Sequence, residues 1–247
     1  MKRFAILLAV LLAACATPHG GEGSRSQASA KVHTELAALY YERAQLGVAL
    51  DELRQALQAE SSYAPAYGMR GLVHMALRED KEAEDDFRRS LQLDAENSET
   101  RNNYGWFLCQ RGREREAVKQ FLAALKNPLY ATPEKAYLNA GLCSKKAGEM
   151  RDADEFLQKA LLLRPGMPEA QLGLAELGFE RGDNAAARSA FTQFAQAAGE
   201  GMTAENLWLG VRIERRVGDK NAEESYALQL RKRFPDARET QFLRQAP

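Results

Sequence analysis

The chain has 247 residues, 45% of them hydrophobic, and it carries 34 basic and 34 acidic side chains. Nucleic-acid-binding domains usually show a strongly basic face, and this balance argues against a nucleic-acid partner. Only eight prolines, long runs rich in Ala, Leu, Glu and Arg, and the lack of a convincing alternating apolar–polar segment predict an all-α protein.

The N-terminus has the layout of a bacterial lipoprotein signal. A short basic head precedes eleven apolar residues, 4–14. Eleven residues are too few to span a membrane, which takes roughly 20, but they suit the apolar part of a secretory signal. Residues 12–15, Leu-Ala-Ala-Cys, resemble the lipobox. This resemblance implies that the signal 1–14 is removed and that Cys15 is lipidated; the alternative is an ordinary signal peptide with a spare thiol.

Residues 15–29 are predicted to form a flexible tether between lipid and folded domain. The stretch His-Gly-Gly-Glu-Gly-Ser at 19–24 is polar and rich in glycine and serine, so it has nothing to bury. Ala16 follows the cysteine. By resemblance to enterobacterial lipoproteins, a residue other than Asp at this place implies sorting to the outer membrane, with the folded domain in the periplasm.

Beyond residue 30 similar phrases recur at a nearly constant interval, which is the primary sign of a repeat architecture. The intervals between small anchor residues are 34, 34, 36, 34 and 35 residues. The anchors are Ala49, Ala83, Ala117, Ala153, Ala187 and Ala222. The residue twelve places before each anchor is Gly or Ala.

This pattern resembles the tetratricopeptide repeat (TPR), a helix–turn–helix unit, and the resemblance covers about residues 30–235. It implies a right-handed all-α superhelix within a domain spanning 30–247; the alternative is an unrelated bundle of six amphipathic hairpins. The predicted repeats span residues 30–63, 64–97, 98–133, 134–167, 168–202 and 203–236, followed by a C-terminal tail.

Nothing in the chain predicts catalysis, a cofactor, a metal site or a small-molecule substrate. His33 and His74 fall at packing positions of first helices. The HxxxH, CxxC and GxSxG patterns and a glycine-rich phosphate loop are absent from the sequence. The acidic run 82–86 and the basic runs 111–115 and 231–233 are interpreted as solvated helix faces.

Two cysteines fall in the first helices of repeats 3 and 4. Cys109 and Cys143 are 34 residues apart where the anchors are 36 apart, so they occupy repeat positions 12 and 10. First helices of neighbouring repeats should stack, and the periplasm is oxidising. We therefore predict that these cysteines form a disulfide; the alternative is two buried, reduced thiols that act as small hydrophobic residues.

Two segments indicate which family of TPR proteins the chain resembles. Residues 102–113, NNYGWFLCQRGR, and 127–148, NPLYATPEKAYLNAGLCSKKAG, resemble the PilW/PilF family of type IV pilus biogenesis lipoproteins. The match covers mainly residues 100–148 and is weaker elsewhere. It implies a pilotin, which binds the outer-membrane secretin and promotes its multimerisation. The alternative is a TPR scaffold lipoprotein of β-barrel assembly or of peptidoglycan-hydrolase complexes.

In TPR folds, first-helix positions 2, 5, 9, 12 and 13 line a concave groove, which implies that the partner binds there. Asn102 offers an amide that donates and accepts hydrogen bonds, and Trp106 is either an interface anchor or plain core packing. Lys145 and Lys146 are expected to meet acidic residues of the partner. The apolar members of the predicted groove, besides Trp106, are Tyr41, Leu72, Met75, Leu138, Leu142, Leu172, Phe179, Leu207 and Val211.

Overall fold

The computed structural model of the chain describes residues 21–245, and the predicted signal and Cys15 lie outside them. Within that range every regular element is a helix. The helices are α1 (Gly21–Glu42), α2 (Leu46–Ala59), α3 (Ala64–Leu77), α4 (Asp80–Leu93), α5 (Ser98–Gln110), α6 (Glu114–Ala124), α7 (Pro133–Lys146), α8 (Met150–Leu163), α9 (Pro168–Arg181), α10 (Asn184–Ala198), α11 (Ala204–Val217), α12 (Lys220–Arg233) and α13 (Arg238–Gln245), with a 3₁₀ turn at Gly199–Gly201.

Helices α1 to α12 form six hairpins, and each hairpin is one repeat. The odd-numbered first helix packs against its own second helix, and the second helix packs against the first helix of the next repeat. The first helices α1, α3, α5, α7 and α9 also contact one another in succession. Elements on the inner side of a curved stack lie closest together, so the first helices line the concave side. The predicted all-α superhelix of stacked hairpins is confirmed.

The repeating small residues allow the two helices of a hairpin to approach closely. Ala83 and Ala117 are fully buried. A Cβ atom added to Gly71 would lie 2.9 Å from the Phe87 ring, and one added to Gly105 would lie 2.7 Å from the Phe121 ring. Both distances are too short for van der Waals contact, so glycine in the first helix makes room for the aromatic ring of the second.

The tether prediction is wrong for residues 21–29, because α1 begins at Gly21. Glycine and serine have low helix propensity, but tertiary contacts outweigh it here. Ala30 and Ala37 are fully buried, and the Ser26 hydroxyl donates a hydrogen bond to the Glu60 carboxylate (3.3 Å) at the end of α2. The helix therefore extends along its neighbour. The rest of the predicted tether, 15–20, lies outside the described residues.

The predicted C-terminal tail contains helix α13, which sequence reasoning missed. This helix packs against α11 and α12, where the first helix of a further repeat would lie. The Phe242 ring lies 5.7 Å from that of Trp208, and buried Thr240 donates to the Phe234 carbonyl (2.6 Å). The helix thus covers apolar surface at the end of the stack, as terminal caps of repeat proteins do.

Candidate functional site

Seven predicted groove residues lie half-buried on the first helices. Each packs one side against the core and leaves the other side partly exposed. We call this set the apolar row: Tyr41, Leu72, Met75, Trp106, Leu138, Leu142 and Leu172. Because these residues recur on successive first helices, they form a strip along the concave side that suits an apolar or amphipathic segment of a partner.

At its N-terminal end the strip borders a cavity of about 320 Å³ between α1, α3 and α5. Leu72 belongs to its lining, together with Met69 and the polar residues Glu35, Glu99 and Asn103. Sequence reasoning missed the latter four: Glu35, Met69 and Asn103 fall at repeat position 6, which was not counted as a groove position, and Glu99 was passed over at position 2. Polar residues beside an apolar strip on the same helix face were the signal available.

Asn102 does not face the groove as an open hydrogen-bonding group, so that prediction is wrong. Its side chain is buried, and the Asn139 Nδ2 donates to its Oδ1 at 3.0 Å. A buried amide without a partner would be costly, and Asn139 of α7 supplies that partner from the next repeat. The pair links α5 to α7.

The two lysines are also engaged within the chain rather than free for a partner. Lys145 forms an ion pair with Glu176 of α9. Lys146 donates to the Cys109 carbonyl (2.6 Å) and lies 3.3 Å from the Glu114 carboxylate. Cations near a helix C-terminus are favourable because the last carbonyls carry partial negative charge. Both lysines therefore tie neighbouring repeats together.

Cys109 and Cys143 form a disulfide in the structure, with their Cα atoms 5.9 Å apart and both residues buried. The bond joins α5 to α7 across the irregular link 125–132. With the Asn102–Asn139 hydrogen bond and Lys146, it closes what we call the repeat 3–4 junction.

The repeat 5–6 junction is built differently. Phe179 lies at the predicted groove position on α9, but two guanidinium groups of α11 cover its ring. The Cζ atom of Arg216 lies 3.7 Å from the ring centroid and that of Arg212 lies 4.7 Å away. Arg216 also donates to the Phe179 carbonyl at 2.7 Å. Sequence reasoning missed both arginines.

The arginines were missed because the groove positions of repeat 6 were wrongly placed. Leu207 and Val211 are fully buried and do not line the groove. Helix α11 instead presents Trp208, Arg212 and Arg216, which recur every four residues. The burial pattern of this first helix is thus shifted relative to the others, where the turn at 199–201 lengthens the preceding link and α13 packs against α11.

No group of three or more His, Cys, Asp or Glu side chains in residues 21–245 is arranged to hold a metal ion. The two histidines there are paired with carboxylates. His33 Nδ1 lies 2.7 Å from Glu52, and His74 Nδ1 lies 2.6 Å from Glu79. Of the helices that the structure describes, none is long and apolar enough to cross a membrane.

The model of the tetratricopeptide repeat matches residues 64–97 and 134–166. The type IV pilus assembly protein PilF of Pseudomonas aeruginosa is 32% identical over 240 residues, which cover 95% of this chain and 94% of PilF.

Two solved structures have the same fold over most of their length. The crystal structure of PilW, described as a widely conserved type IV pilus biogenesis factor, is 31% identical with a TM-score of 0.80, and the match covers 87% of this chain and 97% of PilW. The structure of Pseudomonas aeruginosa PilF is 29% identical with a TM-score of 0.83, covering 90% of this chain and 99% of that one.

Proposed function

The chain belongs to the PilF/PilW family of type IV pilus biogenesis proteins, and from that premise we propose that it is a pilotin. In this proposal it is a lipoprotein of the outer membrane that binds the pilus secretin and promotes its multimerisation. Its TPR domain lies in the periplasm and acts as a binding scaffold rather than an enzyme.

The observation that carries the proposal is the similarity to PilF along nearly the whole chain, on a superhelix whose concave side bears the apolar row. A surface of this kind recognises a protein segment by burying its apolar side chains. The lipobox-like residues 12–15 add a membrane anchor through Cys15. Each buried methylene of an acyl chain contributes about 0.8 kcal/mol, so several acyl chains would hold the protein firmly at the membrane.

Binding and anchoring together give a mechanism. The groove holds a segment of the secretin subunit, and the lipid brings the complex to the outer membrane, where subunits meet at high local concentration. Multimerisation then follows from mass action among subunits confined to one surface. The mechanism requires both the anchor and the groove, so the two are tested separately.

Deletion of the gene tests the function. We expect loss of pili and of heat-resistant secretin multimers, with normal insertion of β-barrel proteins. Impaired barrel insertion or altered peptidoglycan hydrolysis with intact secretin multimers would instead support the alternative scaffold role.

The variant Cys15→Ser tests the anchor: we expect the protein to leave the outer-membrane fraction and secretin multimers to decrease. Multimers at the wild-type level in this variant would contradict the escort mechanism.

The groove is tested with a matched pair of leucines. Leu142→Glu places a charge in the apolar row, whereas Leu162→Glu places the same charge on α8, where the leucine is already 81% exposed. Loss of one apolar anchor at an interface costs about 2 kcal/mol, roughly thirtyfold in affinity. We expect only Leu142→Glu to reduce co-purification of the secretin, with helical circular dichroism retained by both variants. An equal effect of both would contradict groove binding.

A further inference from the structure

The stack of first helices opens between α9 and α11. Neighbouring first helices from α1 to α9 contact each other along their backbones, whereas α9 and α11 approach each other much less closely. A cavity of about 340 Å³ occupies this region and reaches α7. We call it the arginine cavity; its lining includes Lys145, Glu176, Phe179, Leu209, Arg212 and Arg216.

The two arginines of the cavity lack a carboxylate partner. Among residues 21–245, neither Arg212 nor Arg216 has a carboxylate oxygen within 4.0 Å. Arg216 is held by the Phe179 ring and carbonyl. The Nε of Arg212 is buried and has no hydrogen-bond acceptor among the described residues. Burial, and after it the charge of Arg216, lower the pKa of Arg212, and the charge of Glu176 opposes them without reversing the direction.

The acidic residues of the cavity offset this charge only in part. Glu176 is paired with Lys145, and Glu180 lies exposed at the rim. Three cations and two carboxylates leave a net charge of one positive in the cavity, and the two cations without a carboxylate within 4.0 Å are Arg212 and Arg216. A buried donor without an acceptor is unfavourable, and a ligand that supplies the acceptor would remove that penalty.

Resting on the proposed function, we propose that the arginine cavity binds a carboxylate of the protein segment that docks along the groove. The guanidinium fork of Arg212 matches the two oxygens of a carboxylate. One negative charge balances the single excess charge, whereas Glu176 and Glu180 would repel the second charge of a phosphate.

The walls of the cavity also suit such a ligand. Phe179 and Leu209 provide apolar walls for the carbon atoms of an acidic side chain or of a chain terminus. Lys145 and Glu176 occupy groove positions next to Leu142 and Leu172, so the cavity continues the apolar row.

The carboxylate can come from an Asp or Glu side chain or from the C-terminus of the partner, and two probes distinguish these sources. The full chain in detergent, with labelled arginine, is titrated with N-acetyl-aspartate α-methylamide, with N-acetyl-leucine and with inorganic phosphate, while the Nε–Hε signal of Arg212 is followed by NMR. We expect a saturable shift with one or both carboxylates, absent in Arg212→Gln, and a weaker one with phosphate. The probe that saturates at the lower concentration identifies the source.

No shift with either carboxylate, or a shift with phosphate at equal or lower concentration, would overturn the proposal.

A second measurement connects the site to the partner. We expect Arg212→Gln to weaken co-purification of the secretin about tenfold, while Arg231→Gln, at an exposed position of α12, leaves it unchanged. Helical circular dichroism checks that both variants are folded. If Leu142→Glu abolishes co-purification and Arg212→Gln does not change it, the carboxylate site is wrong and the pilotin function stands. If deletion of the gene leaves secretin multimers intact, the proposed function fails on its own.

Discussion

The repeat 3–4 junction and the repeat 5–6 junction are the two places where the anchor spacing departs from 34 residues, by two residues and by one. At the first, the extra link residues are accommodated by a disulfide, a buried Asn102–Asn139 hydrogen bond and Lys146. At the second, the first helices stand apart, and long arginine side chains extend across the gap to Phe179.

One stack of repeats therefore carries both a closed junction, between repeats 3 and 4, and an open junction, between repeats 5 and 6. Short, buried and covalently joined side chains hold α5 against α7, so the middle of the groove keeps a fixed shape. Long cationic side chains hold α11 near α9 without filling the space between them, and a cavity with unpaired charge remains. The closed junction serves stability, and the open junction offers a site for a ligand.

Removal of the disulfide should produce the largest effect. The bond closes a loop of roughly 35 residues, for which the chain-entropy model gives about 3–4 kcal/mol. We expect the double variant Cys109→Ala/Cys143→Ala to lose about that much unfolding free energy in urea under oxidising conditions. Reductant should destabilise the wild type and leave the variant unchanged. Equal stability of the two oxidised proteins would show that the repeat 3–4 junction is closed by packing alone.

Shortening the aromatic side chain of the open junction should have a smaller effect. Phe179→Leu removes the ring under Arg212 and Arg216 and part of its packing, for an expected loss of about 1–2 kcal/mol. Phe121→Leu is the control, because this buried ring of α6 loses packing and lies under no guanidinium group of residues 21–245. The excess loss at Phe179, measured by urea unfolding, reports the guanidinium stacking. No excess would mean that the arginines do not stabilise the repeat 5–6 junction.

The closed junction was largely predictable from the sequence. The period places Cys109 and Cys143 on neighbouring first helices at nearly the same height, which is a matter of counting residues. The apolar row follows from the same count, because groove positions are fixed within a regular repeat. The pairing of Asn102 with Asn139 was not predictable in this way, since it depends on side-chain orientation across two helices.

The open junction was not predictable, because counting residues within a repeat identifies groove positions only where the first helix packs as in the other repeats. In α11, which follows the added turn and packs against α13, Leu207 and Val211 lie in the core and Arg212 lies on the groove side against Phe179. Similarly, α1 extends into a glycine- and serine-rich stretch because it packs along α2. In each case contacts between distant parts of the chain override the local pattern.

The smallest expected effect on stability concerns the buried carboxyl group of Glu214. Glu214 of α11 is buried, with the Arg188 Nε 3.1 Å from its Oε2 and Asp219 nearby. Burial raises the pKa of Glu214 above its usual value of 4.5; Arg188 opposes this and Asp219 adds to it. At the repeat 3 end of the closed junction the direction is opposite, because the hydrogen bond from Arg113 lowers the pKa of Glu116.

The two shifts predict opposite effects of pH. Since the folded protein holds the proton of Glu214 more tightly than the unfolded chain does, the stability from this group is complete below about pH 4.5 and is lost as pH rises through the folded pKa. Glu214→Gln should therefore raise the unfolding free energy relative to wild type at pH 7, and the difference should vanish below pH 4.5. In this variant Arg188 keeps Asp219 as its partner, so no new unpaired charge is created.

Glu116→Gln should lower stability at pH 7, and the difference from wild type should vanish as pH falls through the folded pKa of Glu116. Urea unfolding of both variants across pH 3–8 measures the two trends. A Glu214→Gln difference that persists at low pH would mean that packing around residue 214, rather than the charge of Glu214, determines the effect of this substitution on stability.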